Sequence, residues 1–142
     1  MSTLKRRKAS PRHKIKKRRP LSDPSEHSIQ AKLIGLLPPL LKPGIVVLSI
    51  PNGGLRHPLV ALKLKAEGLV PGSPDLVFAL PKGRVAWLEM KCQSGRLSDV
   101  QHGMKAKLQR LDHLWGMADS VDAALEVLDT MGILKSNWRE MY

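Results

Sequence analysis

Cysteine, aromatic residues and long apolar runs are all scarce in this 142-residue chain. Cys92 is the single cysteine, which excludes an intrachain disulfide and a cluster of thiolates around a metal. Next to Lys91 it reads as an activated thiol or, more simply, as a small filler at a strand end. No stretch approaches the roughly 20 apolar residues needed to cross a bilayer, and the first residues lack the apolar core of a secretory signal. The expectation is an intracellular protein with no membrane partner, placed in cytoplasm or nucleoid, or in the nucleus of a eukaryotic host. Acid is missing from residues 1–20, which hold ten of the 24 Lys and Arg residues. The remainder of the chain is nearly balanced, so the net charge of +12 sits mostly at one end.

That imbalance divides the chain. Residues 1–21 read as a basic arm with too few apolar side chains to offset ordering entropy, hence disordered when free. Its natural partner is a polyanion such as DNA, with affinity that falls steeply with salt. The clusters Lys5-Arg6-Arg7-Lys8 and Lys16-Lys17-Arg18-Arg19 also permit a nuclear import signal. Residues 22–132 have the length and patterning of one domain, and 133–142 form a C-terminal tail carrying Trp138 and Tyr142. Those two aromatics can pack on the parent domain or on a second subunit.

The chemistry concentrates between Pro71 and Lys91. An apolar run from Leu76 to Leu80, the turn Pro81-Lys82-Gly83-Arg84 and an alternating run from Val85 to Lys91 predict a β-hairpin. Alternation puts Val85, Trp87, Glu89 and Lys91 on one face and Ala86, Leu88 and Met90 on the other. Symmetric closure between Leu80 and Val85 brings Asp75 opposite Met90, while a one-residue slip puts it opposite Glu89. Two carboxylates and an ammonium then meet at the hairpin end. Oxygen donors of this kind suit Mg²⁺ or Mn²⁺, and a neighbouring lysine can position or deprotonate a water. The plainer reading is a surface hairpin with ordinary charges.

Around the hairpin the pattern is helix, strand, helix before it and helix, strand, helix after it, which predicts an α/β fold with a central mixed sheet flanked by helices. Asp23 as N-cap, Pro24 at the first helical position and Glu26 at the third open the first helix, with Ile29, Leu33, Leu36 and Leu37 inward until Pro38-Pro39 stops it. Ile45–Ile50 reads as a buried strand ending in Pro51-Asn52-Gly53-Gly54, a loop able to receive a phosphate or simply to turn the chain. Asn52 fits an Asx turn equally well. Pro58 to Glu67 reads as a helix with Leu59, Leu62 and Ala66 inward and Gly68 as its stop; Arg56, Lys63 and Lys65 are phosphate contacts or a solvated face. His57, a lone histidine before a proline, reads as a turn residue. Gly95-Arg96-Leu97 leads to Ser98-Asp99-Val100-Gln101, a capping box, then to a stripe of Val100, Met104, Leu108, Leu111 and Trp115. Lys105, Lys107 and Arg110 on this helix form a basic edge toward a substrate or a solvated face. A short strand over Met117 to Val121 and a helix from Asp122 to Met131, stopped by Gly132, complete the domain.

Pro74-Asp75 followed by Glu89-Met90-Lys91 has the form of the PD-(D/E)XK nuclease signature. With Pro51-Asn52-Gly53-Gly54, Arg56, Gly68, Pro71-Gly72, Gly95, Leu97-Ser98 and Gln101 in that order, roughly residues 24–131 resemble the VRR-NUC domain, the virus-type replication-repair branch of that superfamily. The resemblance implies a restriction-endonuclease-like core and a metal-dependent endonuclease for DNA phosphodiesters, leaving a 3′-hydroxyl and a 5′-phosphate. It implies Asp75, Glu89 and the Met90 carbonyl as ligands of Mg²⁺ or Mn²⁺, Glu26 completing the site through water, and Lys91 orienting the attacking water. It also implies that Asn52, Gly53, Gly54 and Arg56 border the site and that Gln101 reaches the lysine or a phosphate; Arg96 and Lys105 join them as nucleic-acid contacts. Small VRR-NUC proteins suggest a homodimer acting on branched DNA, such as four-way junctions, flaps or splayed arms, in replication, repair or recombination. Competing readings are a DNA-binding protein that uses the nuclease fold without cutting and, further off, a metal-dependent small-molecule hydrolase.

Overall fold

A computed structural model describes residues 25–51 and 58–142. The basic arm, Asp23, Pro24, Asn52, Gly53, Gly54, Arg56 and His57 lie outside the described residues. The elements are α1 (Glu26–Leu40), β1 (Val46–Ser49), α2 (Pro58–Ala66), β2 (Leu76–Ala79), β3 (Val85–Met90), α3 (Asp99–Arg110), β4 (Leu114–Ala118), α4 (Val121–Thr130) and α5 (Trp138–Met141). The four strands lie in sequence order, β1-β2-β3-β4, with the first two pairings antiparallel and β3–β4 parallel. The parallel pair needs a crossover, and α3 supplies it. This is the expected α/β architecture, a mixed sheet flanked by helices.

One face of the sheet carries the main core. Leu76 and Phe78 of β2, Ala86, Leu88 and Met90 of β3, and Ala118 of β4 are buried against Ile29, Leu33, Leu37 and Leu40 of α1 and Ala124, Leu125 and Leu128 of α4. Ile133, Leu134 and Trp138 close the same core, so residues following Gly132 contribute to it. α3 packs on the opposite face, where Lys105 lies over the Trp115 ring at 4.4 Å. The alternation expected of β3 holds, because Ala86, Leu88 and Met90 enter the core and the other set faces away from it. Among the described residues no helix is long and apolar enough to cross a membrane.

Several boundaries and faces differ from the sequence expectation, each for a physical reason. The N-cap of α1 is Ser25, whose hydroxyl accepts the Ser28 amide at 3.2 Å, so Glu26 is the first helical residue instead of the third. Pro38 and Pro39 lie inside the last turn and do not stop the helix. Each lacks one amide donor, but burial of Leu37 and Leu40 and the Leu41 amide bond to Leu37 O at 3.0 Å hold the turn. Leu36 is correspondingly exposed at 38 %. β1 is an edge strand instead of a buried one, since α1 covers only one face; Val46 and Leu48 point to the other and are exposed at 52 % and 57 %.

The helical stripes are also shorter than their apolar residues suggest. None of the α2 residues is buried, Leu59, Leu62 and Ala66 included. Of the stripe expected on α3 only Leu108 is buried, while Val100 and Leu111 are exposed. Asp112 ends that helix in the left-handed region at φ 58°, and the apolar run that follows pairs with β3 as β4. Trp115 therefore belongs to a strand, and β4 begins at Leu114 and ends at Ala118, earlier than expected. Ser120 then caps α4 by accepting the Ala123 amide at 3.1 Å.

Candidate active site

The hairpin decides which acids meet. Ala79 pairs with Val85 and Leu76 with Leu88, so five residues, 80–84, lie between the paired positions. Leu80 and Arg84 continue the same register beyond the strands, the Leu80 amide donating to Arg84 O at 2.9 Å, and Lys82 adopts φ 63° within the Pro81–Gly83 turn. The symmetric closure that would set Asp75 opposite Met90 is thereby replaced by the slipped one. Extending the register places Asp75 opposite Glu89, on the face turned away from the main core.

Asp75 follows the buried Pro74 at the mouth of β2, where its carbonyl accepts the Ile50 amide at 2.8 Å. Its Oδ2 accepts the Met90 amide at 2.8 Å, which ties the acid to the end of β3. Glu89 is only 2 % exposed and Lys91 only 8 %. Lys91 Nζ lies 2.6 Å from Glu89 Oε1, and Gln101 Nε2 donates to the same oxygen at 2.5 Å. Glu26, exposed at the start of α1, accepts the Cys92 amide through Oε1 at 3.3 Å. Asp75, Glu26, Lys91 and Gln101 thus gather with Glu89 at the end of β3, and Met90 supplies backbone between them.

Electrostatics follow from burial. Desolvation pushes the Asp75 carboxyl above its ordinary value, opposed by the Met90 amide and Lys91 and reinforced by Glu26. Desolvation raises Glu89 to about 7; the Lys91 hydrogen bond opposes this, while Asp75 and Glu26 add to it. Burial by itself would lower Lys91, but its hydrogen bond to Glu89 and the nearby acids outweigh burial and raise it. Lys91 is therefore an ammonium near neutral pH, suited to orient and stabilise negative charge but not to act as a resting base.

Among the described residues no three His, Cys, Asp or Glu side chains form a metal cage. The donor chemistry nevertheless fits a hard divalent ion. Asp75 and Glu89 are opposed, desolvated and mutually repelling with one ammonium to offset them, and Mg²⁺ commonly binds through one or two carboxylates while retaining waters. The Met90 carbonyl and the Glu26 carboxylate are further oxygens at this end of the sheet.

Two of the residues expected to contact nucleic acid lie away from this group. Lys105 partners the Trp115 ring, and Arg96 is exposed on the connection from β3 to α3. Two residues that the sequence reading gives no role at the site contribute to it. Gly95 packs so closely on Lys91 that a Cβ there would lie 3.0 Å from Lys91 Cβ and 3.1 Å from its Cδ. Ser98 reaches Glu89 through Gln101, and the spacing of the capping box is the signal that points to it.

A four-stranded mixed sheet thus carries the acids at the hairpin end, with a crossover helix joining its parallel pair. No protein-family model and no curated protein matches the sequence. A solved structure titled "VRR_NUC domain protein" is similar at a TM-score of 0.61 and 17 % identity, over 78 % of this chain and 89 % of its own. Another, titled "VRR_NUC domain", is similar at 0.49 and 18 %, over 75 % and 94 %. The chain has the VRR-NUC fold.

Proposed function

We propose that this protein is a metal-dependent endonuclease that hydrolyses DNA phosphodiester bonds. The observation that carries the reading is the group formed by half-buried Asp75 with buried Glu89 and Lys91 at the end of the hairpin, within a VRR-NUC fold. Asp75, Glu89 and the Met90 carbonyl would hold Mg²⁺ or Mn²⁺, with Glu26 contributing through water. The ion, when bound, polarises a nonbridging phosphate oxygen and lowers the pKa of a water.

The chain's own residues do the rest. Asp75 is held by the Met90 amide and Glu89 by Gln101 and Lys91, so both acids are oriented before substrate arrives. Lys91, charged and close to Glu89, orients the attacking water and offsets charge that builds on the phosphorane. Its ammonium proton remains on nitrogen while Glu89 is its partner. Hydrolysis leaves a 3′-hydroxyl and a 5′-phosphate.

The substrate in this reading is branched DNA, with a homodimer presenting one site to each strand of a symmetric junction. Residues 1–21 add phosphate contacts that strengthen binding without selecting sequence. The test incubates the protein with labelled four-way junction, splayed-arm, flap and linear duplex DNA in Mg²⁺, Mn²⁺ or EDTA. Metal-dependent cuts on branched substrates, lost in Asp75→Ala and Lys91→Ala with DNA affinity retained, are the expected result. Binding of every substrate with no cut under either metal would replace it with the non-catalytic DNA-binding reading.

A further inference from the structure

The turn that opens α3 holds more than its own helix. Ser98 Oγ accepts the Gln101 amide at 3.3 Å, and Gln101 Oε1 accepts the Ser98 amide at 2.9 Å. An amide N–H requires an acceptor, so the oxygen of the Gln101 side chain must face Ser98 and its NH₂ must face away. That NH₂ donates to Glu89 Oε1 at 2.5 Å, the oxygen that Lys91 also reaches at 2.6 Å. Both donors converge on Oε1. The same turn also touches the approach to the other acid: a Cβ on Gly72, at φ +82°, would lie 2.8 Å from Val100 O.

We propose that Ser98 is a positioning residue for Glu89, acting through Gln101. The N-cap fixes the plane of the Gln101 amide, the amide holds Glu89 Oε1, and the carboxylate is thereby turned so that Oε2 is left for the cation of the proposed nuclease reaction, on which this inference rests. Gln101 is also a positioning residue, because its oxygen is committed to Ser98 and its nitrogen to Glu89.

The test compares Ser98→Ala and Ser98→Thr with Ser120→Ala, which removes the equivalent cap from α4. Three quantities are read: the Gln101 side-chain amide resonances of the metal-free protein, Mn²⁺ affinity by calorimetry, and kcat and KM on a DNA substrate that the wild type cuts. Ser98→Ala should shift the Gln101 amide resonances toward those of a free glutamine side chain. It should also weaken Mn²⁺ binding and lower kcat, each by about 10-fold, with KM unchanged. Ser98→Thr should restore all three, and Ser120→Ala should lower the unfolding midpoint while leaving them at wild-type values. Unchanged Gln101 resonances and Mn²⁺ affinity in Ser98→Ala would overturn the proposal. Equal effects from Ser120→Ala would overturn it too, by reducing the Ser98 effect to general loss of stability. A wild type that cuts no DNA refutes the nuclease reading, whereas the amide resonances still decide on Ser98.

Discussion

Lys91→Met gives the most direct test of whether the site is kept for chemistry at the expense of stability. Lys91 and Glu89 form an ion pair at 2.6 Å with side chains 9 % and 3 % exposed. Removing the ammonium leaves a desolvated carboxylate facing Asp75, and breaking a buried pair in this way typically costs about 3–5 kcal/mol. Gln101 still donates to Glu89, so the lower end, about 3 kcal/mol, applies here. For a domain of this size that corresponds to a loss of about 10–15 °C in melting temperature. Replacing both partners, Glu89→Gln with Lys91→Met, removes the two desolvated charges together. The double variant should return to within about 1 kcal/mol of wild type, or exceed it, although it should no longer cut DNA. Urea denaturation in EDTA at pH 8 measures all four corners of the cycle, and the coupling should be at least about 2 kcal/mol, larger by whatever Glu89→Gln loses alone. Additive losses in the double variant would refute the reasoning, since they would mean the two side chains contribute packing independently and the pair itself carries no desolvation cost.

The same burial makes metal-free stability depend on pH. Glu89 titrates at about 7 in the fold against 4.5 ordinarily, so the folded state holds this proton more tightly. Its stabilising contribution is full below pH 4.5, declines as pH rises to about 7 and is gone above, amounting to about 3 kcal/mol at about 1.36 kcal/mol per unit. Asp75, also raised, acts in the same direction. Denaturation in EDTA at pH 5 and pH 8 should therefore show a gradient that shrinks in Glu89→Gln, and equal gradients in both proteins would count against a strongly raised Glu89. For the basic arm, deleting residues 1–19 should weaken binding to every DNA tested and flatten the salt dependence by about 0.9 for each phosphate that the arm neutralises, with cleavage at saturating DNA retained. An unchanged slope in a salt titration would remove the arm from the binding surface.

Local signals in the sequence are sufficient where one physical rule acts alone. The alternation of β3 identifies the face bearing Glu89 and Lys91 because a period of two admits only two sets. The capping box at Ser98 and the stop at Gly132 are likewise legible, the first through both reciprocal bonds and the second through φ 74°. Register is not legible in the same sense. Whether Asp75 faces Met90 or Glu89 depends on how many residues the turn removes from the ladder, and that depends on Lys82 accepting a left-handed conformation that non-glycine residues rarely adopt.

Burial is harder to read for a different reason, because apolar composition says that a segment can be covered, not what covers it. The run from Ile45 to Ile50 reads as a buried strand, yet its place at the sheet edge is set by the order of all four strands. The apolar residues of α3 likewise predict a stripe extending to Trp115, but the chain turns at Asp112 and gives Trp115 to the sheet. The site contains both kinds of information. Residue types at the hairpin end are enough to propose acid, acid and lysine, whereas the joining of Ser98 to Glu89 exists only because the crossover between two parallel strands brings the start of α3 back over the end of β3. An N-cap elsewhere, such as Ser120 on α4, serves its helix and could not orient Glu89.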